Sequence, residues 1–280
     1  MAFRIITADE RLSDAENKTS MAIFGPPGVG KTSLLKTLPP DETVCLDLEA
    51  GMKSVQDWRG TSIPVRRFED FRDLCVLIGG HDPAQHPGSW YGAGRLEFLQ
   101  AEHRASGIEE FLKSRRIIFV DSITDLTRQA MVYAAQRPEA FSDRTGKPDT
   151  RGAYGLLGRE VIMALKHLQH AAGKTVIFVG VLEKVTSETG VVSWQPQMEG
   201  GKAGRELPGI VDQVVSMHLF SRDKDGALIL DEKATERHLV CQSGNPWGLP
   251  AKDRSGRLDV TEPPDLGKVL AKINGRATTY

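Results

Sequence analysis

The segment that most constrains this chain is the glycine-rich octapeptide GPPGVGKT at residues 25–32. It fits the spacing G-x-x-x-x-G-K-[S/T], an apolar run at residues 21–24 precedes it, and residues 32–37 favour a helix after it. Glycines let the backbone wrap around an anion, and the following helix would direct its positive N-terminal end at the same point. We therefore expect a strand, a phosphate-binding loop and a helix. The alternative is a glycine-rich turn that happens to carry a lysine.

The pattern also assigns roles to individual residues of the loop. Successive backbone amides would hold the phosphates of ATP, Lys31 would contact the β- and γ-phosphates, and Thr32 would ligate Mg²⁺. The nucleotide-binding residues expected on this basis are Gly25, Pro26, Pro27, Gly28, Val29, Gly30, Lys31, Thr32 and Ser33.

Composition indicates a globular protein. The 280 residues, 26% charged and 40% hydrophobic, suffice for one elaborated domain with a sizeable core. No apolar run approaches the ~20 residues that span a bilayer, and the N-terminus lacks a basic stretch followed by an apolar one. We therefore expect a cytoplasmic protein with no membrane partner. The three scattered cysteines are expected to be reduced core thiols.

Apolar runs alternate with helical patterns, which predicts an α/β fold with a mostly parallel sheet flanked by helices. The predicted strands are residues 21–24, 43–48, 63–66, 116–120 and 175–181, and the clearest helices are residues 68–78 and 156–172. Polar, glycine-rich stretches predict long loops at residues 79–94, 137–152 and 183–204. Beyond residue 209, short β-like runs at 213–220, 227–230 and 236–242 and a helix near 266–273 predict a small antiparallel C-terminal extension.

Two acidic positions follow predicted strands and complete a site for phosphoryl transfer. Asp121 ends the run before it and is expected to hold the metal through water, although an acid there is also a common helix cap. Ser122 follows it, so the water-activating base must come from elsewhere. Glu49, at the end of residues 43–48, is the candidate base and Asp47 the weaker choice. A solvated turn acid is the alternative for Glu49.

Together these positions resemble the RecA-type recombination ATPases. In that family an acid-x-glutamate carries the catalytic glutamate, as in Asp47-Leu48-Glu49, and the metal strand ends in Asp-Ser, as in Asp121-Ser122. The resemblance covers about residues 18–220. The phosphate loop, the segment LDLEAG and residues 250–260 are also similar to the short phage-encoded RecA-like ATPases of recombination and single-strand annealing.

The resemblance implies one RecA-type P-loop NTPase domain over residues 1–280, with a core at about 18–220 and a β-rich extension with a helix at about 221–280. It implies Mg²⁺-dependent ATP hydrolysis, single-stranded DNA as partner, and a homo-oligomer in the form of a filament or ring. A phage or host single-strand-binding protein is a further expected partner, and a phage-encoded protein would act in the bacterial host cytoplasm. The γ-phosphate-sensing glutamine of RecA is replaced, with Glu183 or Lys184 as candidate substitutes.

Two loops contact DNA in that family, and they correspond here to residues 137–152 and 183–204. Cations that follow phosphates and an aromatic ring that stacks on bases are typical of sequence-tolerant single-strand binding. Because the net charge is −1, any such binding must come from local basic loops. A merely solvated loop, and a Trp194 that anchors its loop on the core, are the alternatives. The candidate contacts are Arg137, Arg144, Lys147, Arg151, Lys184 and Trp194.

RecA-like assemblies also place a cation of a neighbouring subunit at the γ-phosphate, where it stabilises developing charge. The segments that match supply four candidates: Lys202, Arg205, Lys252 and Arg254. The function expected overall is an oligomeric, DNA-stimulated recombination or annealing ATPase. The alternatives are an ATP-switched loading or binding protein without recombinase activity and, less favoured, a P-loop small-molecule kinase.

Overall fold

A computed structural model describes residues 5, 7–9, 18–190 and 192–275. The N-terminal stretch whose sequence lacks the pattern of a secretory signal lies largely outside the described residues, as does residue 191 of the predicted loop 183–204. Within the described ranges, no helix combines the length and the apolar character needed to cross a membrane.

A central β-sheet organises the described part of the chain, in the order β11-β9-β7-β1-β5-β4-β2-β3. Six neighbouring strands of this sheet are parallel, which confirms the predicted mostly parallel sheet; they are β7, β1, β5, β4, β2 and β3. The remaining strands pair antiparallel. The strands are β1 Ser20–Gly25, β2 Thr43–Asp47, β3 Thr61–Pro64, β4 Ile117–Asp121, β5 Thr175–Thr186, β6 Val192–Pro196, β7 Gln213–Arg222, β8 Leu228–Leu230, β9 Glu236–Val240, β10 Lys252–Asp253 and β11 Thr261–Glu262.

Helices cover both faces of this sheet. The α-helices are α1 Phe68–Gly79, α2 Ala93–His103, α3 Ile108–Ser114, α4 Ile123–Ala135, α5 Thr150–Gln169, α6 Lys202–Ile210 and α7 Leu266–Ile273. Short 3-10 helices occupy Thr32–Thr37, Gly51–Val55, Arg104–Ser106 and Pro138–Ala140. The helix expected after the phosphate loop is thus a 3-10 helix, and it stops before Pro39 and Pro40 because proline cannot continue it.

The core has two layers because strand side chains alternate between the faces of the sheet. On β1, Ala22 and Phe24 face the layer under α1, α4 and α5. Met21 and Ile23 face the other layer, which the 3-10 helix Thr32–Thr37 and α7 cover. Central strands that are buried on both faces read as continuous apolar runs, and this made them recognisable from sequence.

Several sequence-based expectations are corrected. Residues 183–204 are not one loop, because β5 continues to Thr186 and pairs with β6 as a hairpin. Helix α5 begins at Thr150 rather than residue 156, since the Asp149 side chain caps it by accepting a hydrogen bond from the Arg151 backbone N–H. The run 213–220 lies in β7, which pairs parallel with β1 and antiparallel with β9 and β10, so it joins the parallel sheet to the antiparallel extension.

A buried arginine ties the predicted loop 79–94 to the helical layer. The Arg72 side chain is fully buried, and its Nη1 donates to Tyr133 Oη at 3.1 Å and to Glu160 Oε2 at 3.3 Å. Its guanidinium lies 3.6 Å from the ring centroid of Trp90, a geometry that attracts a cation to an aromatic face. One side chain therefore joins α1, α4, α5 and the loop.

Replacing Arg72 with Ala is expected to lower the free energy of unfolding by about 3 kcal/mol, because it empties buried space and leaves Glu160 without its partner. Urea unfolding measures the change. The matched control is Arg67→Ala, which breaks the exposed pair with Asp70 on the same helix; it should cost at most about 0.5 kcal/mol. Equal losses in the two variants would contradict the buried anchor.

Candidate active site

The phosphate loop and the acidic positions meet at one edge of the sheet. Parallel strands end on the same side, and the register sets Asp47 beside Asp121 and Asp121 beside Val179. The pairing of β1 with β5 places Val181 beside Gly25, where the phosphate loop begins. We call this the carboxyl edge. In open parallel sheets ligands bind outside this edge.

Backbone geometry explains the glycines of the loop. Gly28 and Gly30 have φ values of 75° and 101°, a left-handed region that other residues rarely adopt. At Gly25, a side-chain carbon would lie 2.5 Å from the Met217 carbonyl oxygen. The loop therefore requires glycine for its own shape, and Val29 packs beneath it in the core.

Lys31 closes the loop on itself. Its ammonium donates to the carbonyl oxygens of Gly25 and Pro26, each at 2.9 Å, so the side chain reaches back over the loop. Burial lowers the pKa of Lys31, while the charges of Asp121 and Glu49 oppose the shift. The ammonium thus lies where a phosphate held by the loop would meet it.

Thr32 and Asp121 form the pair expected at the metal. The Thr32 hydroxyl donates to Asp121 Oδ2 at 2.6 Å, whereas the buried Oδ1 has no hydrogen-bond partner among the described residues. Burial raises the pKa of Asp121 to about 6, and the Glu49 charge adds to the shift, while the Thr32 hydrogen bond and the Lys31 charge oppose it. A hydroxyl and an orphaned carboxylate oxygen fit Mg²⁺, which prefers oxygen ligands and keeps several waters.

Asp121 is not the N-cap residue of α4. The N-cap of α4 is Ser122, whose hydroxyl accepts from the Asp125 N–H at 3.3 Å. The carboxylate is therefore left facing the phosphate loop. No group of three or more His, Cys, Asp and Glu residues that could hold a metal occurs in the described ranges.

The two acids after β2 have different surroundings. Asp47 is buried, and its Oδ1 accepts from the Gly51 N–H at 3.1 Å, which holds the turn closed. Glu49 is exposed, and its side chain makes no hydrogen bond within the described ranges, although its backbone N–H donates to the Asp121 carbonyl at 3.2 Å. Only Glu49 therefore has a carboxylate free to act on a water beside Lys31 and Asp121.

A protein-family model for the AAA domain matches residues 17–255. The chain belongs to this family. Among solved structures, a prototypical ATPase from the type III secretion system of pathogenic bacteria is similar, with 16% sequence identity and a TM-score of 0.35, over 74% of this chain and 52% of that one. The chain thus spans about half the length of that protein. No curated protein matches the chain.

In this AAA domain, helix α4 brings the first predicted DNA loop to the carboxyl edge. The Thr124 hydroxyl at its start accepts from the Val181 N–H at 3.0 Å, and Gln129 Nε2 donates to the Val65 carbonyl, beyond β3, at 3.2 Å. The helix therefore crosses the edge from β5 to β3. Arg137 after it lies 3.5 Å from Glu69 Oε1 and over the Tyr133 ring, so it fastens α4 to α1.

Residues 141–148 then form a compact turn rather than an open loop. Phe141 bridges Pro148, and the Ser142 N–H donates to the Lys147 carbonyl at 2.9 Å. The side chains of Arg144, Lys147 and Arg151 are exposed, and none of them makes an ion pair with another described residue. The turn's Arg144 and Lys147, and Arg151 at the start of α5, are thus free for an anionic partner, unlike Arg137.

The second predicted DNA loop is the β5–β6 hairpin, which extends past the carboxyl edge. Lys184 lies 5.7 Å from the ring centroid of Trp194 across the hairpin. Trp194 also packs edge-on to His218, with the two ring centroids 5.3 Å apart, and it is partly buried. Trp194 therefore anchors the hairpin and exposes only part of its ring.

The four cations proposed to act across subunits divide between two ends of α6. Lys202 and Arg205 are exposed in its first turns, and Lys202 lies 3.9 Å from Glu206. Lys252 donates to the carbonyls of Pro208 and Val211, and Arg254 pairs with Asp212 at 3.1 Å. In this chain Lys252 and Arg254 thus stabilise the C-terminal end of the helix, away from the carboxyl edge.

One cationic residue lies at the candidate site although no motif in the sequence predicts it there. Arg237 on β9 lies beside Gly30 of the phosphate loop, although more than two hundred residues separate them in the chain. A single arginine in a short β-like run has no motif around it. Only the pairing of β9 with β7 brings it to the loop.

Replacing Asp121 with Asn is expected to stabilise the metal-free protein at high pH. The pKa of Asp121 is about 6 in the fold against an ordinary value of 3.8. Since the folded protein holds this proton more tightly, its stability falls as the pH rises through this window and stays reduced above it. We expect Asp121→Asn to raise the free energy of unfolding by about 2 kcal/mol at pH 8 and to change it little at pH 3.

Urea unfolding in EDTA at the two pH values measures this difference. Thr32→Val is the control, because it removes the hydroxyl that stabilises the carboxylate and should act in the opposite direction at pH 8. An Asp121→Asn protein that is less stable than the wild type at pH 8 would disprove the assigned burial penalty.

Proposed function

We propose that this protein is a Mg²⁺-dependent ATPase that binds single-stranded DNA and acts in recombination or strand annealing as an oligomer. The observation that carries the ATPase assignment is the buried, unpartnered Asp121 Oδ1 beside the Thr32 hydroxyl, beneath a loop spanned by Lys31. An unpartnered buried carboxylate oxygen is costly, and a metal–phosphate ligand would satisfy it. Membership of the AAA domain family supports the assignment.

Each residue then has a defined task in hydrolysis. The amides of the loop and the Lys31 ammonium bind and orient the phosphates, while Thr32 and Asp121 would hold the cation. Bound Mg²⁺ would neutralise phosphate charge. Glu49 positions the attacking water and accepts its proton, since its carboxylate is free and lies close enough to influence both Lys31 and Asp121. Asp47 keeps the turn in shape.

Three variants separate these tasks. Lys31→Ala should weaken ATP binding by about 100-fold or more, because it removes a charged donor to two phosphates. Glu49→Gln should keep ATP affinity but lower kcat by about 100-fold or more. Asp47→Asn is the control, since its amide oxygen still accepts from Gly51, and its kcat should fall far less. Calorimetric titration and phosphate release measure the two quantities.

A kcat in Asp47→Asn as low as in Glu49→Gln would contradict the roles given to the two acids. Unchanged ATP affinity in Lys31→Ala would contradict the loop as the phosphate site. Transfer of phosphate to a small acceptor instead of water would favour the kinase alternative.

Support for DNA binding comes from the position of the free cations. The β5–β6 hairpin extends from β5, the neighbour of β1 at the carboxyl edge, and α4 leads from β5 to the β3 side of the same edge before the turn at residues 141–148. Arg144 and Lys147 are exposed there without ion-pair partners among the described residues. An exposed cation over a single strand displaces counterions and gives binding a salt dependence.

Replacing Arg144 and Lys147 together with Ala is expected to weaken binding to oligo(dT) and to reduce the slope of log K against log salt by about 1.4. Basal ATPase activity without DNA should stay unchanged. The control replaces Arg104 and Lys113, exposed cations of the α2–α3 segment that precedes the amino end of β4. Fluorescence anisotropy over a salt series measures the slopes.

An equal loss in the control pair would mean that net charge rather than this turn binds DNA. A wild-type protein that hydrolyses ATP without binding or responding to single-stranded DNA would favour the ATP-switched loading protein. In an oligomer, Lys202 and Arg205 are the remaining candidates to reach a neighbour's γ-phosphate, because both are exposed in the first turns of α6 while Lys252 and Arg254 are held at its other end.

A further inference from the structure

Arg237 reaches the phosphate loop from the C-terminal part of the chain. A side-chain carbon at Gly30 would lie 3.4 Å from Arg237 Nε and 3.5 Å from its Cζ. Residues alternate along β9, so Arg237 shares a face with Leu239, which packs in the same core layer as Val29 of the loop. The guanidinium therefore lies against the backbone of the phosphate loop.

This guanidinium has no partner in the described part of the chain. The adjacent Glu236 is engaged by Arg222, at 3.1 Å and 2.5 Å, and by His238 at 2.7 Å. Arg237 makes no hydrogen bond or ion pair with any described residue. A fork of five N–H donors beside an anion-binding loop is thus available to an anion.

Sheet order tells which part of a nucleotide Arg237 faces. From β1, which leads into the loop, Asp121 lies two strands away on one side, at β4 beyond β5. Arg237 lies two strands away on the other side, at β9 beyond β7. A cation held by Asp121 and Thr32 would neutralise the β- and γ-phosphates on that side, which leaves the opposite side of the loop for the phosphate nearest the sugar.

We propose that Arg237 is a nucleotide-binding residue of the same subunit, which contacts the sugar-proximal phosphate of a nucleoside di- or triphosphate. The inference rests on the proposed function of the loop, and it adds a binding residue on the side of the loop opposite Asp121. ADP and ATP share this phosphate, so the contact acts on both ligands. A contact between a guanidinium and a phosphate does not distinguish one nucleobase from another, and it requires no Mg²⁺.

Replacing Arg237 with Ala should raise the Kd for ADP and for ATP by about the same factor, about tenfold each. The loss for ADP should persist in EDTA, which separates it from the metal site. Arg237→Lys should bind with intermediate affinity, since it keeps the charge without the fork. Titration calorimetry with ADP, with and without Mg²⁺, and with a non-hydrolysable ATP analogue measures these values.

Lys224→Ala is the matched control, because Lys224 is an exposed cation in the turn between β7 and β8. Its nucleotide affinities should equal those of the wild type. The exposed position of Arg237 predicts a folded variant, which the thermal midpoint checks, and Arg237→Gln substitutes if the alanine variant unfolds.

Wild-type affinities for both nucleotides in Arg237→Ala would overturn this inference alone. A loss for the ATP analogue without a loss for ADP would overturn it too, because the contact would then be to the γ-phosphate. If the wild-type protein binds neither nucleotide, the proposed function and this inference fail together.

Discussion

The hydrogen bond from Thr32 to Asp121 is the interaction on which the candidate site depends. It joins the phosphate loop after β1 to the end of β4, although β5 lies between these strands. The bond can form because β1 and β4 end at nearly the same level on either side of β5, which continues past them. It also holds a carboxylate that burial makes costly to ionise, a cost that a structural role alone does not explain.

The C-terminal extension contacts the phosphate loop and the helix that follows it. Helix α7 packs in the layer of the 3-10 helix Thr32–Thr37, and the Leu266 N–H donates to the Thr37 hydroxyl at 2.9 Å. Strand β9 brings Arg237 against Gly30. Residues far from the loop in sequence thus support both the helix behind the phosphates and the side opposite Asp121.

The features that the sequence predicted well depend on short stretches of chain. The loop GPPGVGKT, the buried strand before Asp121 and the turn at Asp47–Glu49 each follow from local spacing and apolar runs. The order of the strands follows from long crossovers, which no local pattern encodes, and Arg237 is therefore invisible in sequence. The buried Arg72 was missed for a similar reason, because its partners Tyr133 and Glu160 come from two later helices.

Strand β5 is the element that the nucleotide site and the proposed DNA surface share. Its buried part lies between β1 and β4, and its exposed part forms the hairpin with β6. At the junction a side chain at Gly180 would lie 2.9 Å from the Phe24 ring, so this position has no room for a sensing side chain. The neighbouring Val181 N–H is held instead by Thr124 of α4, directly after the metal strand. If single-stranded DNA binds the hairpin, a displacement there would act on the backbone of β5 and, through Thr124, on the start of α4, next to the strand that separates Thr32 from Asp121.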